Sequence, residues 1–171
     1  MLLVTPVEVA KAVLFFPILE NHSKRTALAY LATMIIEPVF LSLGAFSLLM
    51  IVPLAQHAGE SWAKGLASLL VQSNLLAYTI GEAVLGFGAV FLCVLLFRTR
   101  LIPRWLAISG LVGYACLMIG QLAALFGTIP NIGLYSVIPG FFFEVALPFW
   151  LIIKGFQPQA YRGQPVVESP A

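Results

Sequence analysis

Residues 26–53 read TALAYLATMIIEPVFLSLGAFSLLMIVP, an apolar run with a single charged side chain, Glu37. A transmembrane helix needs about 20 consecutive apolar residues to cross a hydrocarbon core of about 30 Å. The run exceeds that length and lacks the strict polar–apolar alternation of a half-buried strand. It therefore predicts a membrane-spanning α-helix that carries a carboxyl group in its middle.

Three further apolar segments have the same character, at residues 75–97, 105–126 and 133–153. Overall, 61% of the residues are hydrophobic, only 9% are charged, and the mean hydropathy is +1.01. Soluble domains carry about 25% charged residues, so this chain has too few charges to cover a water-facing surface. We therefore expect an all-α, polytopic transmembrane bundle. The net charge of +2 is too small to favour nucleic-acid binding.

The N-terminal helix is shorter than the four spans. Thr5, Pro6 and Glu8 form the pattern of a capping box at the start of an apolar run that ends at Leu19. Residues 6–19 would form a helix of about 21 Å, which falls short of the hydrocarbon core. The sequence thus predicts four spans plus one short or partial helix.

Two other segments flank the spans. Residues 58–74 carry Trp62 and Lys64 and predict an interfacial helix that continues into the next span. We expect residues 1–156 to form a single transmembrane domain. Residues 157–171 are polar and rich in proline, and they predict a disordered tail.

Basic residues are distributed unequally between the two sides of the predicted bundle. One side holds Lys64, and the other holds Lys24, Arg25, Arg98, Arg100, Arg104, Lys154 and Arg162. Loops rich in lysine and arginine remain in the cytoplasm. The pattern therefore predicts a multi-pass protein of the cell (inner or plasma) membrane with a cytoplasmic C-terminus.

Four glutamates occupy similar depths in the predicted helices. Glu8, Glu37, Glu82 and Glu144 lie about 15–24 Å from the basic ends of their helices, at 1.5 Å per residue. Each such group costs about 3 kcal/mol on insertion scales, so it should face a partner, a cavity or a proton. With Lys11, one turn from Glu8, they form a candidate buried polar cluster. Four carboxyl groups and one cation imply that at least one carboxyl is protonated.

Three roles for this cluster remain open. The glutamates can fix the register of the helices, handle a proton, cation or small solute, or, least favoured, take part in catalysis. The layer contains no histidine, aspartate or evident nucleophile, and no metal-ligand spacing such as HExxH occurs. We therefore predict no catalytic residue, no metal site and no cofactor.

A stripe of small residues follows the fourth apolar segment in steps of four and three. Its members are Ser109, Gly113, Cys116, Gly120, Ala123 and Gly127. Such a stripe allows close helix packing in membranes, and packing alone is sufficient to explain it.

Several segments resemble a known family of bacterial membrane proteins, domain-of-unknown-function family 4386. The resemblance lies in PVEVAKAVLFFPIL, LAYLATMIIEPVFL, FRTRLIPRWLAISGLVGY and FFFEVALPFWLIIKGF, which together extend over most of residues 7–156. It implies a compact helical membrane bundle, but no activity and no catalytic residues. Because members usually carry a further hydrophobic N-terminal stretch, it also implies that this chain is a shortened version.

Two classes of function follow from these patterns. The protein handles or senses a small solute, proton or cation through the glutamate layer, or it is a non-catalytic membrane subunit or scaffold with paired glutamates. The expected partners are the lipid bilayer and, for either class, further copies of the chain or another membrane protein.

Overall fold

The computed structural model describes residues 4–127, 129 and 131–157, and every regular element in that part of the chain is helical. Four of the helices are long and apolar enough to cross a membrane, so the protein is an all-α, multi-pass membrane protein as predicted. The helices are α1 (Val4–Glu20), α2 (Lys24–Leu49), α3 (Ile51–Leu54), α4 (Ser61–Thr99), α5 (Arg104–Leu125) and α6 (Ile132–Lys154). A 3₁₀ turn, Ala55–His57, extends α3.

The long helices pack in chain order: α1 against α2, α2 against α4, α4 against α5, and α5 against α6. Short connections make consecutive helices antiparallel. As a result α1, α4 and α6 run in one direction, and their C-terminal ends lie on the side that carries most of the basic residues. The row curls so that α1 and α6, its two ends, face each other across a fissure.

The apolar core is densest at this basic end of the bundle. Leu19, Leu96, Leu101 and Leu106 are fully or almost fully buried there. The chain after α6 is fixed to the same region, because the backbone N–H of Gln157 donates to the carbonyl of Leu101 at 2.9 Å. The glutamates therefore lie above a well-packed base.

Two local features differ from the sequence-based expectation or extend it. Thr5 lies inside α1 and does not cap it: its hydroxyl pairs with Ser42 at 3.3 Å, while Glu8 pairs with Lys11. The predicted interfacial segment does continue into the next span. It forms the start of α4, whose 39 residues would extend about 58 Å, well beyond a hydrocarbon core of about 30 Å. The predicted tail, apart from Gln157, lies outside the described residues.

Candidate functional site

Four helices each bring one glutamate to the wall of a single cavity. Glu8 of α1, Glu37 of α2, Glu82 of α4 and Glu144 of α6 line a space of about 160 Å³, together with Tyr114 of α5. The remaining wall is apolar or formed by the backbone of glycine. The structure thus places in one space the carboxyl groups that the sequence places at similar depths.

Glu37 is the most buried of these glutamates. Its side chain and backbone are only 3% exposed, and its Oε2 atom has no hydrogen-bond partner among the described residues. Helix α4 approaches closely here, because a Cβ added to Gly81 would lie 3.4 Å from the carbonyl oxygen of Glu37. Glu37 therefore lies where α2 packs against α4, and it has an unsatisfied acceptor.

Glu144 and Glu82 each have a tyrosine partner. The Tyr114 hydroxyl donates to Glu144 Oε1 at 3.0 Å, and the Tyr78 hydroxyl interacts with the Glu82 carboxyl from the preceding turn of α4. Glu144 is an exposed residue at the rim of the cavity, whereas Tyr114 is buried. Pro148 has no N–H to donate to the carbonyl of Glu144, which leaves a second acceptor on the same turn of α6.

The positive charge near the cavity belongs to an ion pair within α1. Lys11 and Glu8 form a salt bridge one helical turn apart, with side chains that are 35% and 23% exposed. In the described part of the chain, no basic side chain forms an ion pair with Glu37, Glu82 or Glu144. Three of the four carboxyl groups thus lack a neighbouring cation at salt-bridge distance.

Two further spaces connect the glutamates to the outside of the bundle. A cavity of about 250 Å³ shares Glu8, Tyr114 and Glu144 with the first and also borders Lys11 and Tyr30. Beyond it, the fissure between α1 and α6 encloses about 490 Å³ and is almost entirely apolar.

The four glutamates line the cavity from four different helices. Within the described ranges, no group of three or more His, Cys, Asp or Glu side chains is arranged to hold a metal ion. The arrangement supplies hydrogen-bond acceptors and negative charge to a small group inside the cavity, such as a proton, a water or an ammonium group.

The predicted small-residue stripe of α5 is divided between different environments. Gly113 and Gly120 form the contact with α6: a Cβ on Gly113 would lie 2.7 Å from the Cα of Gly140, and one on Gly120 would overlap Ser136. Cys116 is an exposed free thiol, and Gly127 lies beyond the end of α5.

The two other members of the stripe lie toward opposite ends of the helix. The Ser109 hydroxyl donates to the carbonyl of Leu106 at 2.8 Å, and Ala123 is half-buried. The buried face of α5 instead includes Gly110, whose added Cβ would lie 2.6 Å from the Phe143 ring. Of the predicted stripe, Gly113 and Gly120 thus lie in the contact with α6, whereas a regular step of four and three did not indicate which helix they would contact.

Sequence reasoning missed the tyrosines and one buried amide. Tyr114 lies ten residues after Arg104, or about 15 Å along α5, so the depth count that found the glutamates would also have found it. Tyr78 precedes Glu82 by one turn, a spacing at which side chains meet. Gln121 is 1% exposed and donates from Nε2 to the carbonyl of Gly133 at 2.9 Å, which ties α5 to the start of α6.

Residues 1–155 match the family described as Domain of unknown function (DUF4386). The chain belongs to the DUF4386 family. The DUF4386 match includes all the helices and all four cavity glutamates, and it confirms the resemblance seen in the sequence. No curated protein and no solved structure matches the chain significantly. Since the DUF4386 description specifies no activity, the function has to be argued from the geometry of the site.

Proposed function

We propose that this protein binds a small cation, or exchanges protons, at the glutamate cavity in order to transport or sense it. The observation that carries this proposal is that Glu37 lines the cavity and that its buried Oε2 atom has no hydrogen-bond partner among the described residues. An unpartnered carboxyl oxygen at this depth is costly unless a proton or a cation satisfies it.

The neighbouring groups support a cation or proton more than a reaction. Described residues on the cavity wall provide carboxyl groups and one phenol, but no serine, cysteine or histidine. Tyr114 and Tyr78 interact with Glu144 and Glu82, so these two carboxyl groups already have a hydrogen-bond partner, while the Oε2 atom of Glu37 has none among the described residues. The volume of about 160 Å³ has room for several water molecules or one small ammonium group.

A scaffold role is the second candidate, and it rests on different contacts. The bond between Tyr114 and Glu144 joins α5 to α6, and Gly113 lies directly against Gly140 in the same pair of helices. These contacts support a subunit in which glutamates fix helix positions, alone or beside copies of this chain or another protein. This candidate predicts that Glu37 contributes to assembly and has no effect on ligand binding.

We further infer that the protein lies in the cell membrane with its basic side in the cytoplasm. The unequal distribution of lysine and arginine supports this orientation. We also retain the proposal of a single domain over residues 1–156 followed by a polar tail. In this orientation the glutamate cavity is separated from the cytoplasm by the dense core at the basic end.

The test compares two Glu-to-Gln substitutions in the full chain reconstituted in lipid nanodiscs. E37Q removes the proposed ligand-binding carboxylate, and E60Q makes the same change at an exposed residue before α4. Binding of ammonium, methylammonium and butylammonium is measured by calorimetry, and carboxyl protonation is followed by infrared spectroscopy during a pH titration.

We expect wild type and E60Q to behave alike. E37Q should lose cation binding or a titrating carboxyl band. If E37Q retains both the binding and the titration of wild type, the cavity does not have the proposed function. If wild type itself shows neither, the scaffold role is favoured.

A further inference from the structure

The fissure between α1 and α6 opens the glutamate cavities toward lipid. Its walls comprise Val7, Ala10 and Leu14 on α1, and Leu147, Pro148 and Leu151 on α6. Val7 and Leu14 are 62% and 72% exposed, so the outer part of the fissure faces the surroundings of the bundle. In a bilayer these surroundings are acyl chains, and the apolar wall matches them.

The fissure is continuous with the polar interior. It shares Val7, Lys11, Phe15, Leu147 and Pro148 with the inner cavity, which in turn shares Glu8, Tyr114 and Glu144 with the glutamate cavity. The three spaces are therefore neighbours, in an order that runs from the lipid-facing surface past Glu144 to Glu37.

The path is closed toward the basic side of the membrane. The rings of Phe15 and Phe156 pack edge to face, with their centroids 5.9 Å apart, between the ends of α1 and α6. Gln157 ties the same segment to the α4–α5 connection. The exposed side of the fissure, at Val7 and Leu14, thus faces the bilayer and not the basic side.

We propose that the fissure admits a primary amine with a single apolar chain, whose ammonium group binds at Glu144 and Glu37 while its chain lies between α1 and α6. This inference rests on the proposed function, and it specifies the class of ligand and its route.

The charges favour a cationic head group. Lys11 at the inner end of the fissure is already paired with Glu8, so the carboxyl groups of Glu37, Glu82 and Glu144 have no cation at salt-bridge distance in the described part of the chain. Opposite charges that meet in a desolvated site interact far more strongly than in water.

The acceptors favour a primary amine over a quaternary one. Glu37 Oε2 lacks a donor, and a carboxylate accepts but does not donate hydrogen bonds. A primary ammonium has three N–H donors, which suffice for Glu37 and Glu144 together. A quaternary ammonium has none and would leave the Glu37 oxygen unsatisfied.

The apolar chain gives the ligand its route and little intrinsic affinity for the protein. Lipid tails are as apolar as the fissure, so a chain gains little free energy on moving from one to the other. It does hold the amine in the bilayer, beside the opening, at roughly the depth of the glutamates. A hydrated small cation would have to lose its water to cross the same apolar wall.

The experiment uses the full chain in lipid nanodiscs with decylamine as the probe. Butylamine tests the need for a long chain, and decyltrimethylammonium tests the need for N–H donors. A10W places a large side chain in the fissure, whereas V13W makes a similar change on the same helix, at a residue that does not line the fissure. Ala10 and Val13 are both exposed, so neither substitution disturbs the core.

We expect wild type and V13W to bind decylamine equally. A10W and E37Q should bind it at least tenfold more weakly, and decyltrimethylammonium should bind wild type at least tenfold more weakly than decylamine does. A photoreactive decylamine analogue, used on wild type alone, should label residues 6–15 and 147–151. This second measurement stands even if A10W fails to fold.

Four results would overturn the inference. Equal decylamine binding by A10W and V13W, or labelling confined to the outer faces of α2 and α4, would exclude the lateral route. If the lateral route were excluded in this way but butylamine still bound wild type and not E37Q, the proposed function would stand without the lateral route. A wild-type dimer that A10W dissociates and V13W does not would mean that a second copy occupies the fissure. If E37Q bound both amines as well as wild type, the proposed function itself would fail.

Discussion

Replacing Glu37 with methionine should stabilise this protein and should also abolish its cation binding. Methionine has nearly the volume of glutamate and fills irregular apolar spaces. The substitution removes the carboxyl group of a residue that is only 3% exposed, and the Oε2 atom of that group has no partner among the described residues. No described hydrogen bond to that oxygen is lost in exchange.

The expected gain follows from the cost of an unsatisfied group. A buried polar group without a hydrogen bond costs about 1–3 kcal/mol. E37M should therefore raise the free energy of unfolding by about 1–3 kcal/mol. For a chain of this size each kcal/mol raises the melting temperature by about 2–4 °C, so the increase should be about 2–12 °C. E37Q should remain near wild type, since the amide is as buried and as poorly paired as the carboxyl.

The same substitution at Glu144 should have the opposite effect. Glu144 is exposed, so methionine gains little burial there, and the buried hydroxyl of Tyr114 loses its acceptor. That loss should cost about 1 kcal/mol. The pair of variants thus separates an unpartnered glutamate from a partnered one within a single cavity.

Thermal unfolding in detergent provides the measurement, with a thiol-reactive dye as the reporter. The two cysteines suit this assay, since Cys93 is buried and Cys116 is exposed. In a C116S background only unfolding exposes a reactive thiol. The buffer must contain no amines, because a cation bound at Glu37 would raise the melting temperature of wild type. A melting temperature for E37M below that of wild type by several degrees would refute the reasoning, since Glu37 would then have a stabilising partner.

Other variants test the packing and the topology. Gly113→Ala should destabilise the bundle by about 1–3 kcal/mol, because its Cβ would lie under 3 Å from the backbone of α6. Gly65→Ala should be neutral or stabilising by up to about 1 kcal/mol, because no atom lies within 4 Å of the added Cβ. The melting temperatures of the two variants test both expectations. Tyr114→Phe should lower the melting temperature modestly, through loss of one hydrogen bond worth about 1 kcal/mol. In intact cells, an impermeant thiol reagent should label a cysteine placed at Ala58 and not one at Thr99, and the reverse pattern would invert the proposed orientation.

The sequence predicted the fold well because lipid imposes strong constraints on it. A long apolar run in a bilayer has to satisfy its backbone internally, which leaves the helix as its solution. The interfacial segment before residue 75 was predicted to continue into the next span, and α4 is continuous from Ser61 to Thr99. The start of α1 shows the limit of this reasoning, because Thr5 lies inside the helix and its hydroxyl pairs with Ser42. Helix ends depend on local capping as well as on hydropathy.

The candidate cluster was predictable in depth but not in its pairing. Distance along a helix axis follows from residue counting, and this placed the four glutamates in one layer. Which face of each helix points inward depends on packing, and so does the choice of partner. Counting could not show that Lys11 pairs with Glu8 rather than Glu37, or that Tyr114 reaches Glu144 from another helix. These contacts decide which carboxyl remains without a partner.

The asymmetry among the four carboxyl groups supports a binding role more than a purely structural one. If the glutamates only fixed helix positions, each would be expected to have a partner, as Glu8, Glu82 and Glu144 do. Glu37 lies deepest in the protein and has an unsatisfied oxygen, so it lowers stability where methionine would raise it. Groups that reduce stability in this way cluster at functional sites, because the same unsatisfied oxygen is what a ligand binds. E37M should therefore be more stable than wild type and should bind amines more weakly.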